Sequence, residues 1–319
     1  MPNLALNLAS DVITDADAEA AAYSQAIDHI TDAPIRRDPF PHLYIRDIFP
    51  SAYYSSLLQR IESAGKFVPT VYPGVGVDLK ASNFKDHGLT CGNLDTDPRL
   101  STFHAFLKSE RFTRALLDKF SAPESGVGGP AIPVQKHNYF VDAQDISTVF
   151  DLHKDLAGYE ISPHPDVPSK IVTFLLYLTP DDSLREFGTL FCTPKAGASS
   201  MKKQAKNFGS KVSRALFNKT VEMTGPYGLT QREGWLPWED FDVAAVAEAW
   251  PNSFLAFAPN ERSYHAVRMN IPPDRPVQER LTLRGFIRSS QDARNWRAEH
   301  KNTFRRRTAF RIARILGRS

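Results

Sequence analysis

Beyond residue 130 the apolar residues of this chain come mostly in short runs cut off by turn residues. GYEIS, KIVTFLLYLTP, GTLFCTP, NSFLAFAP and ERLTLRGFIR are rich in β-branched and aromatic residues and bounded by Gly, Pro, Asn or Asp, and VQKHNYFVDA reads the same way. None can bury its apolar face alone. Many short strands in one block imply two packed sheets, as a sandwich, a barrel or a jelly roll.

The residues before this block have a different texture. TDADAEAAAYSQAIDHI (14–30) predicts a helix, acidic early and alanine-rich after. PFPHLYIRDIFP begins extended, with Leu43 and Ile45 alternating against polar neighbours. SAYYSSLLQRIESAGKF predicts a helix capped by Ser51, striped by Tyr54, Leu57, Leu58 and Ile61, and stopped at Gly65. Residues 69–97 read as a long loop, and 98–120 as helical again. SAPESGVGGP (121–130) is a linker by composition. The expected organisation is therefore a helical and extended buttress (1–125), a β core (126–298) and a basic tail (299–319). Within the core, residues 195–250 read as an insertion that includes a helical piece, FDVAAVAEAW.

Composition excludes some classes. No run of about 18 apolar residues exists, so no transmembrane helix is expected. The N-terminal residues lack a basic segment before an apolar core, which argues against a secretory signal. Cys91 and Cys192 are far apart and form neither a disulfide framework nor a metal-type pair, so a reducing cytoplasm is the expected location. The chain's net charge of +3 is local. Lys301, Arg305, Arg306, Arg307, Arg311, Arg314 and Arg318 follow one another without an acid, and the rest of the chain is net acidic.

The candidate site lies in ISPHPDVPSKIVTFLLYL. His164 and Asp166 are two apart, which on a strand puts both on one face. Pro165 between them demands a strand end or edge. A turn with two polar residues is the bland alternative, and His153-Lys-Asp155 offers the same spacing. That second pair, between Asp151 and a Gly, reads as a solvated turn. A third ligand from a distant strand is available in His265, after the apolar run of NSFLAFAP; a histidine bonded to backbone at a strand end is the competing reading. ERLTLRGFIR alternates, with Leu281, Leu283 and Ile287 on one face and Arg280, Thr282, Arg284 and Phe286 on the other. An arginine on the inner face of a β core is costly unless an anion meets it, and a carboxylate is its natural partner.

In this order the segments resemble the iron(II)/2-oxoglutarate-dependent dioxygenases, in particular the prolyl 4-hydroxylase-like branch. The motifs are His-x-Asp, a strand ending in Tyr-Leu, Gly-Thr-Leu, a late His, and an Arg opening the last strand. The resemblance spans about residues 130–290. It implies a double-stranded β-helix (jelly-roll, cupin-like) core with flanking helices. It implies Fe(II) held by His164, Asp166 and His265 as a two-histidine, one-carboxylate facial triad, with 2-oxoglutarate and O2 as cosubstrates. It places Arg280 on the distal carboxylate of 2-oxoglutarate, with Tyr177 and Tyr159 as further cosubstrate residues. Arg284 departs from the small or hydroxyl residue often found there, and is the alternative carboxylate anchor. The implied reaction is hydroxylation of an unactivated C–H, with succinate and CO2 as coproducts. The substrate would be a small polar metabolite, an amino acid, a glycan or lipid precursor, or a protein side chain. The carboxylate at Asp166 argues against a halogenase.

Other features carry less. His137, Asn138 and Tyr139 read as strand residues near the pocket, and Trp235 and Trp238 as either a pocket wall or a core cap. Gly74 and Gly76 lack the context of a phosphate loop. The tail TFRRRTAFRIARILGRS is a basic, partly amphipathic segment that suits a membrane surface or another polyanion. It also suits packing on the body. The alternative function is accordingly a non-catalytic metal-binding jelly roll, a sensor or scaffold docked by this tail.

Overall fold

The computed structural model describes residues 15–69, 84–85, 88–121, 146–166, 170–196, 236–259 and 263–289. Its helices are α1 (Asp15–Asp32), α2 (Ser51–Ala64), α3 (Pro98–Lys108) and α4 (Glu110–Ser121). The early strands are β1 (His42–Ile45), β2 (Phe67–Pro69), β3 (Phe84–Lys85) and β4 (Gly88–Cys91). The later ones are β5 (Ile146–Leu156), β6 (Glu160–His164), β7 (Lys170–Tyr177), β8 (Thr189–Pro194), β9 (Phe241–Ala247), β10 (Ser253–Phe257), β11 (His265–Arg268) and β12 (Glu279–Ser289).

Two antiparallel sheets form. The larger runs β1-β10-β7-β12-β5-β4-β2 and the smaller β3-β6-β11-β8-β9. From β5 to β12 the chain passes back and forth between them, with β5, β7, β10 and β12 in one sheet and β6, β8, β9 and β11 in the other. That interleaving is the double-stranded β-helix. Residues of the first 121 also enter the sheet: β1 pairs with β10 at one edge, and β4 and β2 extend it beyond β5.

The alternation expected on β12 is borne out. Leu283 and Ile287 are buried in a cluster with Phe174, Leu176, Phe254 and the apolar stripes of the helices, and Leu281 packs against it. The opposite face of the large sheet looks toward the small one, where Tyr177, Leu255 and Phe257 pack with Phe40 and Phe191. Gly285 sits on the helix side of β12, where a Cβ would lie 2.1 Å from the Phe174 ring. Only glycine lets that ring lie flat on the strand.

Several local expectations are corrected. The helical stretch 98–120 is two helices, because Ser109 is extended and its hydroxyl accepts from Phe112 N–H to start the second. Ser51 is the first helical residue and not a side-chain cap; Pro50 precedes it. FDVAAVA, read as helical, is β9, an edge strand zipped onto β8 along its length, so sheet pairing outweighs the alanine-rich helix propensity. The loop 69–97 contributes β4 to the large sheet. His153-Lys-Asp155 is not a solvated turn: both residues lie in β5, fully buried. Residues 122–145, 197–235 and 290–319, which include the linker, His137, Asn138, Tyr139, Trp235 and the basic tail, lie outside the described residues, as do Gly74 and Gly76.

Candidate metal centre and cosubstrate cleft

His164 ends β6 and His265 opens β11, and the two are direct cross-strand partners. Register therefore brings together residues a hundred positions apart. Asp166 lies just beyond the end of β6, past Pro165. One ligand atom from each of His164, Asp166 and His265 lies within 4.8 Å of the other two, and His265 Nε2 is 3.8 Å from Asp166 Oδ2. The imidazole centroids are 4.4 Å apart.

Both imidazoles are oriented by the same device. His164 Nδ1 donates to Ser162 O and His265 Nδ1 to Ser263 O, each at 2.9 Å. A carbonyl can only accept, so the proton sits on Nδ1 and Nε2 is left with a lone pair facing the triad. Burial pushes His164 down to about 3, with His265 adding to the effect, and burial lowers His265 as well. Both rings are thus neutral and able to ligate. Burial alone would raise Asp166, but the ammonium of Lys170 outweighs it and holds the carboxyl well below the usual range. Its oxygens are anchored separately: Lys170 Nζ donates to Oδ1 and Thr173 Oγ1 to Oδ2, both at 2.5 Å. Two neutral histidines and one ionised carboxylate, with ligand atoms this close together, are a set that could hold a metal ion.

The same inner face of the large sheet carries the inward row of β12. Arg280 is 2% exposed and is committed to protein partners. Nε and Nη2 donate to Asp155 Oδ2 at 3.2 and 2.7 Å, and Nη1 donates to Phe187 O. Asp155 Oδ1 in turn meets His153 Nδ1 at 2.9 Å. Nη1 and Nη2 each keep a second hydrogen. Tyr177 faces this row, its ring 5.5 Å from the Arg280 guanidinium and its hydroxyl 2.7 Å from Thr189 Oγ1. Between them, Thr282 pairs with Tyr177 across the strands, and its fully buried hydroxyl has no hydrogen-bond partner. Arg284 donates from Nη1 to Tyr159 Oη at 2.5 Å, and its Nη2 lies 3.4 Å from Asp151.

All seven sequence-predicted residues are thereby located. His164, Asp166 and His265 converge. Arg280 and Tyr177 lie buried against each other, and Tyr159 and Arg284 pair with each other. Trp238 packs with the cluster of Cys192, Leu236, Phe241, Tyr264 and Ala266 and donates to Glu160, so it caps the small sheet. Sequence reasoning missed Lys170, Thr173 and Asp155, and passed over Thr282 as merely inward-facing. A polar residue breaking the run KIVTFLLYL was the visible signal for Thr173.

The fold is a double-stranded β-helix in which two histidines and one carboxylate converge where β6 and β11 meet. No family model and no curated protein matches the chain. Among solved structures it is similar to a prolyl hydroxylase from Trichoplax adhaerens in complex with a hypoxia inducible factor peptide fragment, at 12% identity and a TM-score of 0.40, covering 87% of this chain and 93% of that one. It is also similar to HygX from Streptomyces hygroscopicus with nickel and 2-oxoglutarate bound, at 16% identity and 0.38, covering 78% and 83%. A Pseudomonas putida prolyl-4-hydroxylase superimposes at 14% identity and 0.37, covering 83% and 98%.

Proposed function

We propose that the chain is an Fe(II)/2-oxoglutarate-dependent dioxygenase that hydroxylates an unactivated C–H of a small polar substrate. The observation that carries this reading is the triad, oriented and neutral-histidine, on the same inner face as a buried Thr282 hydroxyl that has no partner among the described residues. A hydroxyl left without an acceptor costs about 1–3 kcal/mol, and a ligand carboxylate relieves that cost. Arg280 and Thr282 fit the distal carboxylate, with the two remaining Arg280 N–H groups as charged donors.

Bound iron(II) with 2-oxoglutarate supplies oxidation by O2, coupled to decarboxylation of the keto acid to succinate and CO2. The chain's own contribution is positional. Ser162 and Ser263 carbonyls aim the imidazoles, and Lys170 and Thr173 hold Asp166. The pairing of Arg280 with Asp155 keeps a cation fixed at the deep end. The Phe257 ring, its centroid 4.8 Å from that of His265, excludes water behind that histidine.

Anaerobic titration of the iron(II)-loaded chain with 2-oxoglutarate tests this. A weak visible absorption band of a chelated keto acid is expected, absent in His265→Ala. Iron binding without any band would refute the cosubstrate, and would favour the non-catalytic metal-binding module.

A further inference from the structure

The inner row of β12 holds three arginines, and β5 answers only two of them with acids. The register sets Arg280 opposite Asp155, Arg284 opposite Asp151, and Arg288 opposite Ser147. The first pair meets at 2.7 Å and the second at 3.4 Å. The third rung has no carboxylate. Arg288 Nε is buried and has no hydrogen-bond partner, and no ion pair of Arg288 occurs among the described residues.

That rung also lies at the solvent-exposed end of the β5–β12 pair. The deep residues Asp155 and His153 are fully buried, whereas Val149, opposite Phe286, is 37% exposed and Ser147 is exposed. It lies beside the triad as well. Arg288 is the cross-strand partner of Lys170, and both cations approach the ring of Phe286, Lys170 at 3.5 Å and Arg288 at 5.2 Å. Lys170 is itself bonded to Asp166. A molecule reaching the metal from the open end therefore passes the Phe286 ring and the unanswered guanidinium. No ion pair joins Asp166 to Arg288; its carboxylate accepts from Lys170 and Thr173.

From this we propose that the substrate of the enzyme proposed above carries an oxyanion, a carboxylate or a phosphate, and that Arg288 holds it at the cleft mouth. Phe286 then supplies a flat apolar face between that anchor and the metal. The substrate class is a small organic acid, amino acid or phosphorylated metabolite, and neutral sugars and lipids lack the group that satisfies the third rung.

The test uses the full chain loaded with Mn(II) in place of iron and saturated with 2-oxoglutarate, so that the cosubstrate cleft is filled. Inorganic phosphate and acetate are the probes, read by paramagnetic relaxation of their phosphorus and carbon nuclei. Saturable relaxation by at least one probe is expected, weakened about tenfold or more in Arg288→Gln and partly restored in Arg288→Lys. Whichever probe saturates identifies the oxyanion. Arg111→Gln, on α4, is the control and leaves every readout unchanged. No saturable relaxation in the unaltered chain overturns the proposal, as does full relaxation in a folded Arg288→Gln. Failure of the parent reading is visible separately, as a Mn(II) resonance that does not respond to 2-oxoglutarate.

Discussion

Arg280 and Asp155 face each other across β12 and β5 with their charges 2.7 Å apart and almost no solvent at either. The pair fixes a cation in the floor of the cleft, and it makes that floor sensitive to the loss of either partner. A buried pair broken on one side costs roughly 3–5 kcal/mol, because the remaining charge is left uncompensated. Asp155→Ala should therefore lower the urea midpoint markedly, and Arg280→Ala by a similar amount. A double substitution of both residues by apolar ones should recover much of the loss. Equal stability of Asp155→Ala and the unaltered chain would show that Arg280 finds another partner.

The triad predicts a sharp separation between metal binding and folding. Asp166→Ala removes the only carboxylate of the donor set and should reduce Co(II) or Fe(II) affinity by at least about a hundredfold, while the far-ultraviolet circular dichroism stays the same. Retention of stoichiometric metal in that variant would exclude His164, Asp166 and His265 as the ligands.

Thr282 and Arg284 make different predictions for the cosubstrate. Thr282→Val keeps the volume and removes the buried hydroxyl, so folding should hold while the apparent 2-oxoglutarate requirement rises about tenfold. Arg284→Gln should alter substrate use more than 2-oxoglutarate use, because its guanidinium is held toward Tyr159 and Asp151. The reverse pattern would move the carboxylate anchor from Arg280 to Arg284.

Acid should destabilise the metal-free chain early. Burial holds His164 down at about 3, against about 6.5 for an unfolded histidine. The unfolded state thus binds protons first, so stability is complete above about pH 6.5 and falls as the pH drops toward 3. Asp155 adds to this lower down. Burial opposes its ionisation, but Arg280 outweighs that and holds the carboxyl low, so its contribution is lost below about pH 4. Urea midpoints of chelator-treated protein at pH 7.5, 5.5 and 4.5 should decline in order. A flat series would mean that the histidines are not buried neutral.

Gly88→Ala tests how closely β4 lies on the deep end of the cleft. A Cβ there would sit 2.1 Å from His153 Cε1, in a ring already held by Asp155. A loss of about 1–3 kcal/mol in stability is expected from such overpacking. An unchanged melting temperature would show that β4 can move off β5.

The sequence by itself picked out the His164-x-Asp166 pair, the inward face of β12 and the strand-rich character of the described residues beyond 145. Each of these is a short-range pattern: a two-residue spacing, an alternation, a run bounded by prolines and glycines. It misled where local propensity and tertiary pairing disagree. FDVAAVA is helical by composition and a strand because β8 offers it a full ladder. His153 and Asp155 look like surface polar residues, and their burial is set by Arg280, 125 positions away. Only the tertiary structure decided which arginines are already answered, because that depends on the register of β12 against β5, which no local pattern encodes. The same register leaves Arg288 opposite Ser147, without an ion pair among the described residues.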